Sequence, residues 1–222
     1  MKAPPPAHRQ RAYADLIADQ KRLAGAVIRR TELPEQVDRI TGVDVAFPNR
    51  GQTTRAAAVT LSFPDLKVIE QAVAEIPTRL PYIPGLLSFR ELPALLAALE
   101  KLNFRPDLVL CDGQGIAHPR RFGVASHLGV ETGLCTIGVG KSRLCGQYEV
   151  PGPARGECSP LAEAGETIGI VVRTRARVRP VFVSVGHRLA LEDAVQWVLA
   201  CSPRYRIPEP IRQADRLAGS AD

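Results

Sequence analysis

The sequence has no long uninterrupted apolar run. Hydrophobic residues make up 45% of the 222 residues, yet no run of them approaches the ~20 residues that a membrane-spanning helix needs. The first residues, MKAPPPAHRQR, are basic and rich in proline, and they contain no apolar core of the kind that a secretory signal requires. These absences argue against an integral membrane protein and predict a cytoplasmic protein that has no membrane partner.

The sequence also lacks paired cysteines. Its five cysteines are odd in number and include no C-x-x-C pair, which argues against a disulfide framework and against a zinc site. Charged residues make up 23% of the chain, and the net charge is +6 at pH 7. A positive balance of this size favours a polyanionic partner, and nucleic acid is the natural candidate.

No internal repeat and no abrupt change of composition divides the chain. We therefore predict one domain that spans residues 1–222. Within it, the proline-rich residues 1–6 are expected to be flexible, and residues 212–222 are expected to form a peripheral tail. A monomer is the expected oligomeric state.

The spacing of apolar residues predicts an α/β fold. A helical pattern runs from Ala7 to about Arg30, and β-rich segments follow at residues 39–47, 55–63 and 67–76. The turn dipeptide Pro64-Asp65 separates the last two, so three antiparallel strands in sequence are predicted. The remaining predictions are helices at residues 88–99, 122–128 and 189–201, strands at 108–111, 135–139, 166–172 and 180–185, a surface loop at 144–165 and a short final helix.

The most informative stretch surrounds Asp112. Leu108 to Cys111 form a short apolar run, typical of a strand buried on both faces, and the run stops on the carboxylate of Asp112. Gly113 and Gly115 then allow the backbone to turn sharply and to approach a bound group closely. A carboxylate at the carboxyl end of a central strand suits metal or ligand binding, whereas an isolated Asp-Gly pair is more often an ordinary turn.

Two further carboxylates each have two interpretations. Asp44 interrupts the strand RITGVDVAF, and because aspartate is depleted in strands and costly to bury alone, it either binds a cation or lies exposed at a sheet edge. Glu91 completes the motif S-x-x-E that starts at Ser88, which fits a capping box at a helix start. Capping is not easily combined with metal binding, so the role of Glu91 stays open at this point.

The run D-G-x-G-x-x-H-P-R-x-x-G-x-A-x-H-L-G, which begins at Asp112, resembles the central motif of the endonuclease V family, the deoxyinosine 3′ endonucleases. Four other segments are similar to motifs of that family: GVDVAF at residues 42–47, PYIPGLLSFRE at 81–91, GVGKS at 138–142 and VGHR at 185–188. The resemblance implies an RNase H-like fold. In that fold three antiparallel strands are followed by parallel strands in a central mixed sheet with helices on both faces.

The resemblance also implies a catalytic centre. Asp44, Glu91 and Asp112 would be metal ligands for Mg²⁺, with Mn²⁺ as a substitute, because hard oxygen ligands suit these ions. Lys141 and His187 would lie near the scissile phosphate, where the compact charge of a lysine can contact a phosphoryl oxygen. Such a centre would cleave phosphodiester bonds by metal-ion catalysis.

Other residues would bind the substrate. The resemblance assigns Tyr82 to a strand-separating wedge, and flanking prolines would hold this aromatic side chain rigid. His118 and Arg120 can hold backbone phosphates beside the site. The last acid of the family is matched at Glu192, although the adjacent Asp193 leaves that role open. The wedge loop comprises Pro81, Tyr82, Ile83 and Pro84.

Glycines are expected to form the pocket for a flipped base. Gly113, Gly115, Gly138 and Gly140 lie at the ends of strands predicted to be adjacent, where backbone can close on the base without intervening side chains. Backbone N–H groups there would bond the carbonyl of hypoxanthine, and the pocket would refuse the extra amine of guanine.

The expected activity is therefore cleavage of inosine-containing DNA, or RNA, at the second phosphodiester bond 3′ to deoxyinosine, leaving 3′-hydroxyl and 5′-phosphate ends. Two alternatives remain open. One is another RNase H-like nuclease that acts on RNA or on junctions, and the other is a nucleic-acid-binding module without turnover. The carboxylates discriminate the binding module from an enzyme, and the wedge loop discriminates among the nucleases.

Overall fold

The computed structural model of the protein describes residues 7–220, with side chains from residue 13 onward, so the flexibility expected for residues 1–6 concerns residues outside this range. The strands are β1 (Arg39–Ala46), β2 (Thr53–Ser62), β3 (Val68–Pro77), β4 (Leu108–Asp112), β5 (Thr136–Gly140), β6 (Cys158–Glu163), β7 (Glu166–Val172) and β8 (Val181–His187). The helices are α1 (Ala7–Ala24), α2 (Pro48–Gly51), α3 (Leu87–Leu99), α4 (Val124–Thr132), α5 (Leu191–Ala200) and α6 (Glu209–Gly219). Across residues 7–220, no helix combines the length and apolarity needed to cross a bilayer.

The eight strands form one mixed sheet in the order β3-β2-β1-β4-β5-β8-β7-β6. Strands β1, β2 and β3 are antiparallel neighbours, and β4 and β5 continue from β1 in parallel. This is the predicted RNase H-like arrangement. Parallel pairing stops at β5, because β8, β7 and β6 extend the sheet with antiparallel partners.

Two elements differ from the sequence prediction. Strand β6 lies inside the segment 144–165, which was expected to be a surface loop, and it pairs with β7 at the sheet edge. Pro160 makes this segment resemble a loop in the sequence, but an edge strand tolerates proline because one side of its backbone needs no hydrogen-bond partner. Helix α1 ends at Ala24 rather than near Arg30, and Gly25 follows it directly.

Strand β4 is buried on both faces, as its apolar run predicted. Leu108 and Leu110 pack in one core cluster with α5, while Val109 and Cys111 pack in another with α3 and α4. All four side chains are at most 1% exposed. Helices therefore cover both faces of this strand, and its carboxyl end at Asp112 emerges from the centre of the protein.

Helix α6 closes the same region from the other end of the chain. Its Ile211 and Ala214 are fully buried, and it packs on β1 and β2. The approach is close: a Cβ placed on Gly42 would lie 2.0 Å from the carbonyl carbon of Pro210. Helix α6 therefore packs on the sheet through Ala214 and Ala218, so the prediction of a peripheral tail from residue 212 was wrong for this buried face, although Asp215 and Arg216 remain exposed.

Candidate active site

Asp44 and Asp112 meet because their strands are parallel neighbours in register. Val43 of β1 pairs with Cys111 of β4, so the next residue on each strand is an aspartate. The carboxyl ends of parallel strands meet at one edge of a sheet, where Asp112 ends β4 and Asp44 lies two residues before the end of β1. Asp44 thus lies beside Asp112 on a central strand, and the exposed-edge interpretation of Asp44 was wrong.

A third aspartate, Asp215 of α6, completes the cluster. Asp44, Asp112 and Asp215 each offer one carboxylate oxygen, and these three oxygens lie within 4.8 Å of one another. Asp215 was missed by the sequence analysis. The signal that could have found it is the apolar stripe Ile211, Ala214 and Ala218, which predicts that α6 packs on the sheet and carries the adjacent Asp215 toward it.

Glu91 approaches these aspartates from α3. The helix begins at Leu87, so Ser88 is inside it, and no side chain caps its start. The Ser88 hydroxyl lies 3.1 Å from Nδ1 of His127 instead. The capping-box interpretation was therefore wrong, and Glu91 is a buried carboxylate, 9% exposed, that lies within the electrostatic influence of Asp44 and Asp112.

Burial and crowding of like charges raise the pKa of Asp44, Glu91 and Asp112, whereas the hydrogen bond to Lys141 lowers that of Asp215. Burial, together with the neighbouring Asp44 and Asp112 charges, raises the pKa of Glu91 to about 8. Burial and the Asp112 charge raise the pKa of Asp44 to about 7. Burial also raises the pKa of Asp112, which the bond to Lys141 opposes. Buried carboxylates of this kind are stable in the ionised form only beside a cation.

Lys141 supplies part of that positive charge. It directly follows β5, and its Nζ lies 2.5 Å from Oδ2 of Asp112 and 3.1 Å from Oδ1 of Asp215. These contacts raise the pKa of Lys141, although burial acts in the opposite direction. One ammonium cannot balance four carboxylates, and the all-oxygen donor set fits a divalent ion such as Mg²⁺.

Three of the carboxylates, Asp44, Glu91 and Asp112, line a cavity of about 390 Å³, within the range of ~300–1,000 Å³ that is usual for ligand pockets. Tyr82 stands at its mouth with 65% of its surface exposed. The cavity thus joins an acidic centre to an exposed aromatic side chain. Its lining includes Asp44, Glu91, Asp112, Gly113, Gln114, His118, Gly140 and Lys141.

Arg120 supports the loop that carries Tyr82 through hydrogen bonds. The guanidinium of Arg120 donates to the carbonyl of Gly85 at 2.6 Å and to the side-chain oxygen of Gln20. The Gln20 amide donates to the same carbonyl at 3.0 Å. Arg120 is therefore committed to protein partners that support the loop.

Comparison with known proteins assigns this arrangement to a family. The family model described as Endonuclease V matches residues 21–216. The chain belongs to the endonuclease V family. It is 50% identical to endonuclease V of Nostoc punctiforme over 206 residues, 93% of each chain. It is 57% identical to that of Alkalilimnicola ehrlichii over 183 residues, 82% of this chain and 81% of the relative.

Solved endonuclease V structures share the fold. That of Streptomyces avermitilis aligns with a TM-score of 0.87 at 48% identity, covering 92% of this chain and 90% of that chain. Human endonuclease V aligns with a TM-score of 0.85 at 36% identity over 92% and 95%. Endonuclease V of Ciona intestinalis, in complex with DNA containing an inosine followed by a ribo-adenosine, aligns with a TM-score of 0.81 at 29% identity over 94% and 96%. The chain is therefore a nuclease of this family.

Two residues that the endonuclease V resemblance placed near the cleaved bond lie elsewhere. His187 pairs with Thr136 at the amino end of β5, whereas the acidic cluster lies at its carboxyl end. Its Nδ1 accepts a hydrogen bond from the Ile28 N–H at 3.2 Å, so it fixes the segment after α1. Glu192 is exposed in the first turn of α5, which follows that same amino-end edge. The structure does not bring either residue to the site.

His118 is part of the cavity wall but carries no charge for a phosphate. It is 4% exposed, and burial, aided by the Arg120 charge, lowers its pKa to about 4. Its Nδ1 accepts a hydrogen bond from the Arg120 N–H at 3.1 Å. His118 and Arg120 therefore shape and support the cavity, whereas the sequence analysis expected them to hold backbone phosphates.

The four predicted pocket glycines divide into two pairs. Gly113 and Gly140 line the cavity. Gly115 and Gly138 instead allow neighbouring backbone segments to pack in contact. A Cβ added at Gly115 would lie 1.9 Å from the Val185 carbonyl oxygen, and one added at Gly138 would lie 2.2 Å from the Gly115 nitrogen.

The expected backbone donors are engaged as well. The N–H of Gly113 donates to the carbonyl of Val139 at 3.2 Å, and that of Gly115 donates to the Ser184 hydroxyl at 2.9 Å. Neither N–H is therefore free to bond a base.

Proposed function

We propose that this nuclease is a divalent-metal-dependent repair endonuclease that recognises deoxyinosine. It hydrolyses the second phosphodiester bond on the 3′ side of the lesion and leaves 3′-hydroxyl and 5′-phosphate ends. The observation that carries the proposal is the convergence of Asp44, Glu91, Asp112 and Lys141 on a cavity whose mouth bears Tyr82, with Asp215 adjoining the two aspartates. Its relationship to the Ciona endonuclease V that was crystallised with inosine-containing DNA supports the choice of lesion.

Asp44, Asp112 and Asp215 would hold the metal, with Glu91 as a fourth oxygen donor, and we propose Mg²⁺ as the ion, with Mn²⁺ as a substitute. A divalent ion bound there supplies a Lewis acid that activates water and offsets the negative charge developing on phosphoryl oxygens. The raised pKa values of Asp44 and Glu91 support this assignment, because a site that penalises free carboxylates gains most from binding a cation.

Lys141 has a second task in this scheme. In the structure its ammonium neutralises Asp112 and Asp215. With a cation bound to those aspartates, the ammonium is available to a phosphate oxygen at the same strand end. Its side chain is 44% exposed and lines the cavity, so a phosphate can reach it. Lysine as a compact point charge is suited to this contact.

Tyr82 and the cavity would divide the recognition of the lesion. The exposed ring of Tyr82 can fill the stack that a flipped base leaves, while the base enters the cavity between Gly113 and Gly140. Guanine would be excluded because the walls of the cavity lie too close together to admit its extra amine. An added Cβ at Gly113 would meet Cγ1 of Val124 at 2.6 Å, and one at Gly140 would meet the Gln114 amide at 2.0 Å.

Inosine in RNA is a second candidate substrate. The DNA in the Ciona complex carries a ribo-adenosine directly after the inosine, so that relative accepts a ribonucleotide next to the lesion. The relationship makes RNA worth testing on this chain in parallel with DNA.

A nicking assay on matched inosine-containing DNA and RNA, with adenine and guanine controls, tests the proposal. The wild-type protein should cut the inosine DNA only with divalent metal present, and sequencing gels should map the cut one nucleotide beyond the lesion's own 3′ bond. Asp112→Asn should abolish cutting and retain most of the binding, because the basic surface is unchanged. Glu192→Gln, an exposed acid outside the cluster, is the matched control and should cut normally. Equal cutting of guanine and inosine substrates, or full activity of Asp112→Asn, would refute the proposal.

A further inference from the structure

Six arginines lie in two connections that contain no acidic residue. The connection between β7 and β8 holds Arg173, Arg175, Arg177 and Arg179, and the connection between α5 and α6 holds Arg204 and Arg206. The chain has 29 basic and 23 acidic residues, so these six account for its entire net charge of +6. The positive charge of the protein is therefore a local feature.

Both connections lie beside the catalytic centre. Gly140 pairs with Phe182, so the β7–β8 connection reaches the strand end that carries Lys141. The guanidinium of Arg206 donates to the carbonyls of Lys141, Arg179 and Pro180 at 2.5, 2.8 and 2.9 Å. The Thr174 hydroxyl donates to the Arg206 carbonyl at 2.6 Å. One arginine thus joins the two connections directly to Lys141.

Arg173 fixes the shape of the first connection in the same way. Its guanidinium donates to the carbonyls of Val178, Pro151 and Gly152 at 2.5, 2.6 and 2.9 Å. Arg173 and Arg206 are therefore structural cations that bind backbone and no acid. They hold the connection in place without neutralising its charge.

Three of the remaining arginines, Arg175, Arg177 and Arg179, form what we call the arginine shelf, whereas Arg204 lines a separate cavity with Asp65 and Glu209. All three are exposed, and within the described residues their side chains make neither a salt bridge nor a side-chain hydrogen bond. Some exposed cations elsewhere are paired, as Arg29 is with Glu166 and Lys67 with Asp65, whereas Arg79 and Arg105 have no such partner among the described residues. The shelf differs in that three unpaired arginines lie within five consecutive residues. Unpaired guanidiniums held on a rigid surface suit an external anion, because arginine matches phosphate geometry with two donors.

We propose that the arginine shelf binds the backbone phosphates of the substrate strand on one side of the scissile bond. The inference rests on the proposed function, since it requires that the strand cut at the acidic cluster continue past Lys141. A strand that leaves the cluster on this side meets the shelf next, because Arg206 links Lys141 to Arg179. Contacts of this kind position a nucleic acid without reading its sequence.

The test compares two triple variants of equal charge change. Arg175→Gln/Arg177→Gln/Arg179→Gln removes three shelf charges. Lys67→Gln/Lys101→Gln/Arg105→Gln removes three exposed charges outside the shelf. Lys67 and Arg105 lie near the amino ends of β1 and β4, and Lys101 contacts the Val73 carbonyl of the edge strand β3. Binding of a fluorescein-labelled single-stranded deoxyinosine oligonucleotide is followed by anisotropy in EDTA over a series of salt concentrations.

The shelf variant should lower the log–log salt slope by about 0.7 for each arginine–phosphate ion pair that is removed, or roughly 2 in total. At 0.1 M salt this corresponds to about fivefold weaker binding for each ion pair and up to ~100-fold for all three. Oligonucleotides shortened on one flank should bind the wild type more weakly, and the shelf variant should no longer distinguish that flank. The control variant should behave as the wild type in both respects.

Equal slopes for the two triple variants would overturn the proposal. So would a shelf variant that binds the oligonucleotide normally but loses binding to phosphatidylserine vesicles, since the shelf would then serve a membrane surface. Arg175→Gln alone, expected to remove one ion pair, decides the question if the triple variant does not fold. Failure of the wild type to nick inosine DNA would refute the proposed function but not the binding comparison, which is made without cleavage.

Discussion

Without divalent metal, the folded protein should lose stability as the pH rises from 6.5 to 8. Burial and neighbouring carboxylates raise the pKa of Glu91 to about 8 and that of Asp44 to about 7, whereas both groups have pKa values near ~4 in the unfolded chain. In this window the folded state therefore binds more protons than the unfolded state. Stability is then highest at the acidic end and falls as these protons leave.

The size of the effect follows from the two titrations. Between pH 6.5 and 8, Glu91 goes from almost fully protonated to about half protonated, which costs roughly 1–2 kcal/mol of unfolding free energy, and Asp44 adds up to ~1 kcal/mol. The sum is about 2 kcal/mol, a large part of a typical stability of ~5–15 kcal/mol. Burial lowers the pKa of His118 and His127 to about 4, so these two groups act in the opposite direction. In the unfolded chain they are still about half protonated at pH ~6.5, so each offsets roughly 0.4 kcal/mol of the loss across the window, and a net loss of about 1.5 kcal/mol remains.

Urea unfolding in EDTA at several pH values, followed by circular dichroism, measures this slope. Glu91→Gln should remove most of it, while Glu100→Gln, at an exposed position at the end of the same helix, should leave it unchanged. Added Mg²⁺ should stabilise the protein more at pH 8 than at pH 6.5, because metal binding competes with protons for the carboxylates. A stability that stays constant or rises between pH 6.5 and 8 in EDTA would refute the reasoning.

Two further substitutions test the site itself. Asp215→Asn should slow inosine cleavage by at least ~100-fold with oligonucleotide binding retained, since loss of even an outer-shell metal partner typically costs ~10–100-fold. Single-turnover cleavage rates, compared at matched folded fraction, measure this effect. A wild-type rate would show that Asp215 is not part of the metal site. Tyr82→Ala should weaken cleavage of duplex substrate by about 5- to 150-fold, the equivalent of ~1–3 kcal/mol of base stacking, and affect single-stranded substrate much less. Equal losses on duplex and single strand would show that Tyr82 only stacks or packs.

Local patterns were sufficient for much of the fold. An apolar run that ends on Asp112 predicted a buried central strand, and β4 is fully covered on both faces. The turn at Pro64-Asp65 predicted the β2–β3 hairpin, which the structure contains. Each of these features depends on residues that are close in sequence, so periodicity and turn chemistry specify them.

Local patterns failed where one residue type has two uses. Glu91 follows Ser88 at the spacing of a capping box, yet α3 begins at Leu87, before Ser88. Glu91 is buried within the electrostatic influence of the acidic cluster instead. The family resemblance likewise placed His187 near the cleaved bond, but antiparallel pairing of β8 with β5 places His187 at the opposite edge of the sheet from the cluster. Strand direction in the sheet decides which edge a residue reaches, and no local pattern encodes that direction.

By itself the sequence placed Asp112 at the carboxyl end of a buried strand, because the apolar run before it is specific to such a strand. It left Asp44 open between a cation ligand and an exposed sheet edge, and the assignment of both residues to a metal site came from the family resemblance. Only the tertiary structure revealed Asp215, which lies 171 residues after Asp44 and resembles any other acid on an amphipathic helix. Because Gly42 has no side chain, α6 packs directly against β1, and this packing places Asp215 in the cluster. Whether distant carboxylates share one cation depends on how closely a helix can pack on a sheet, which is a property of the assembled core.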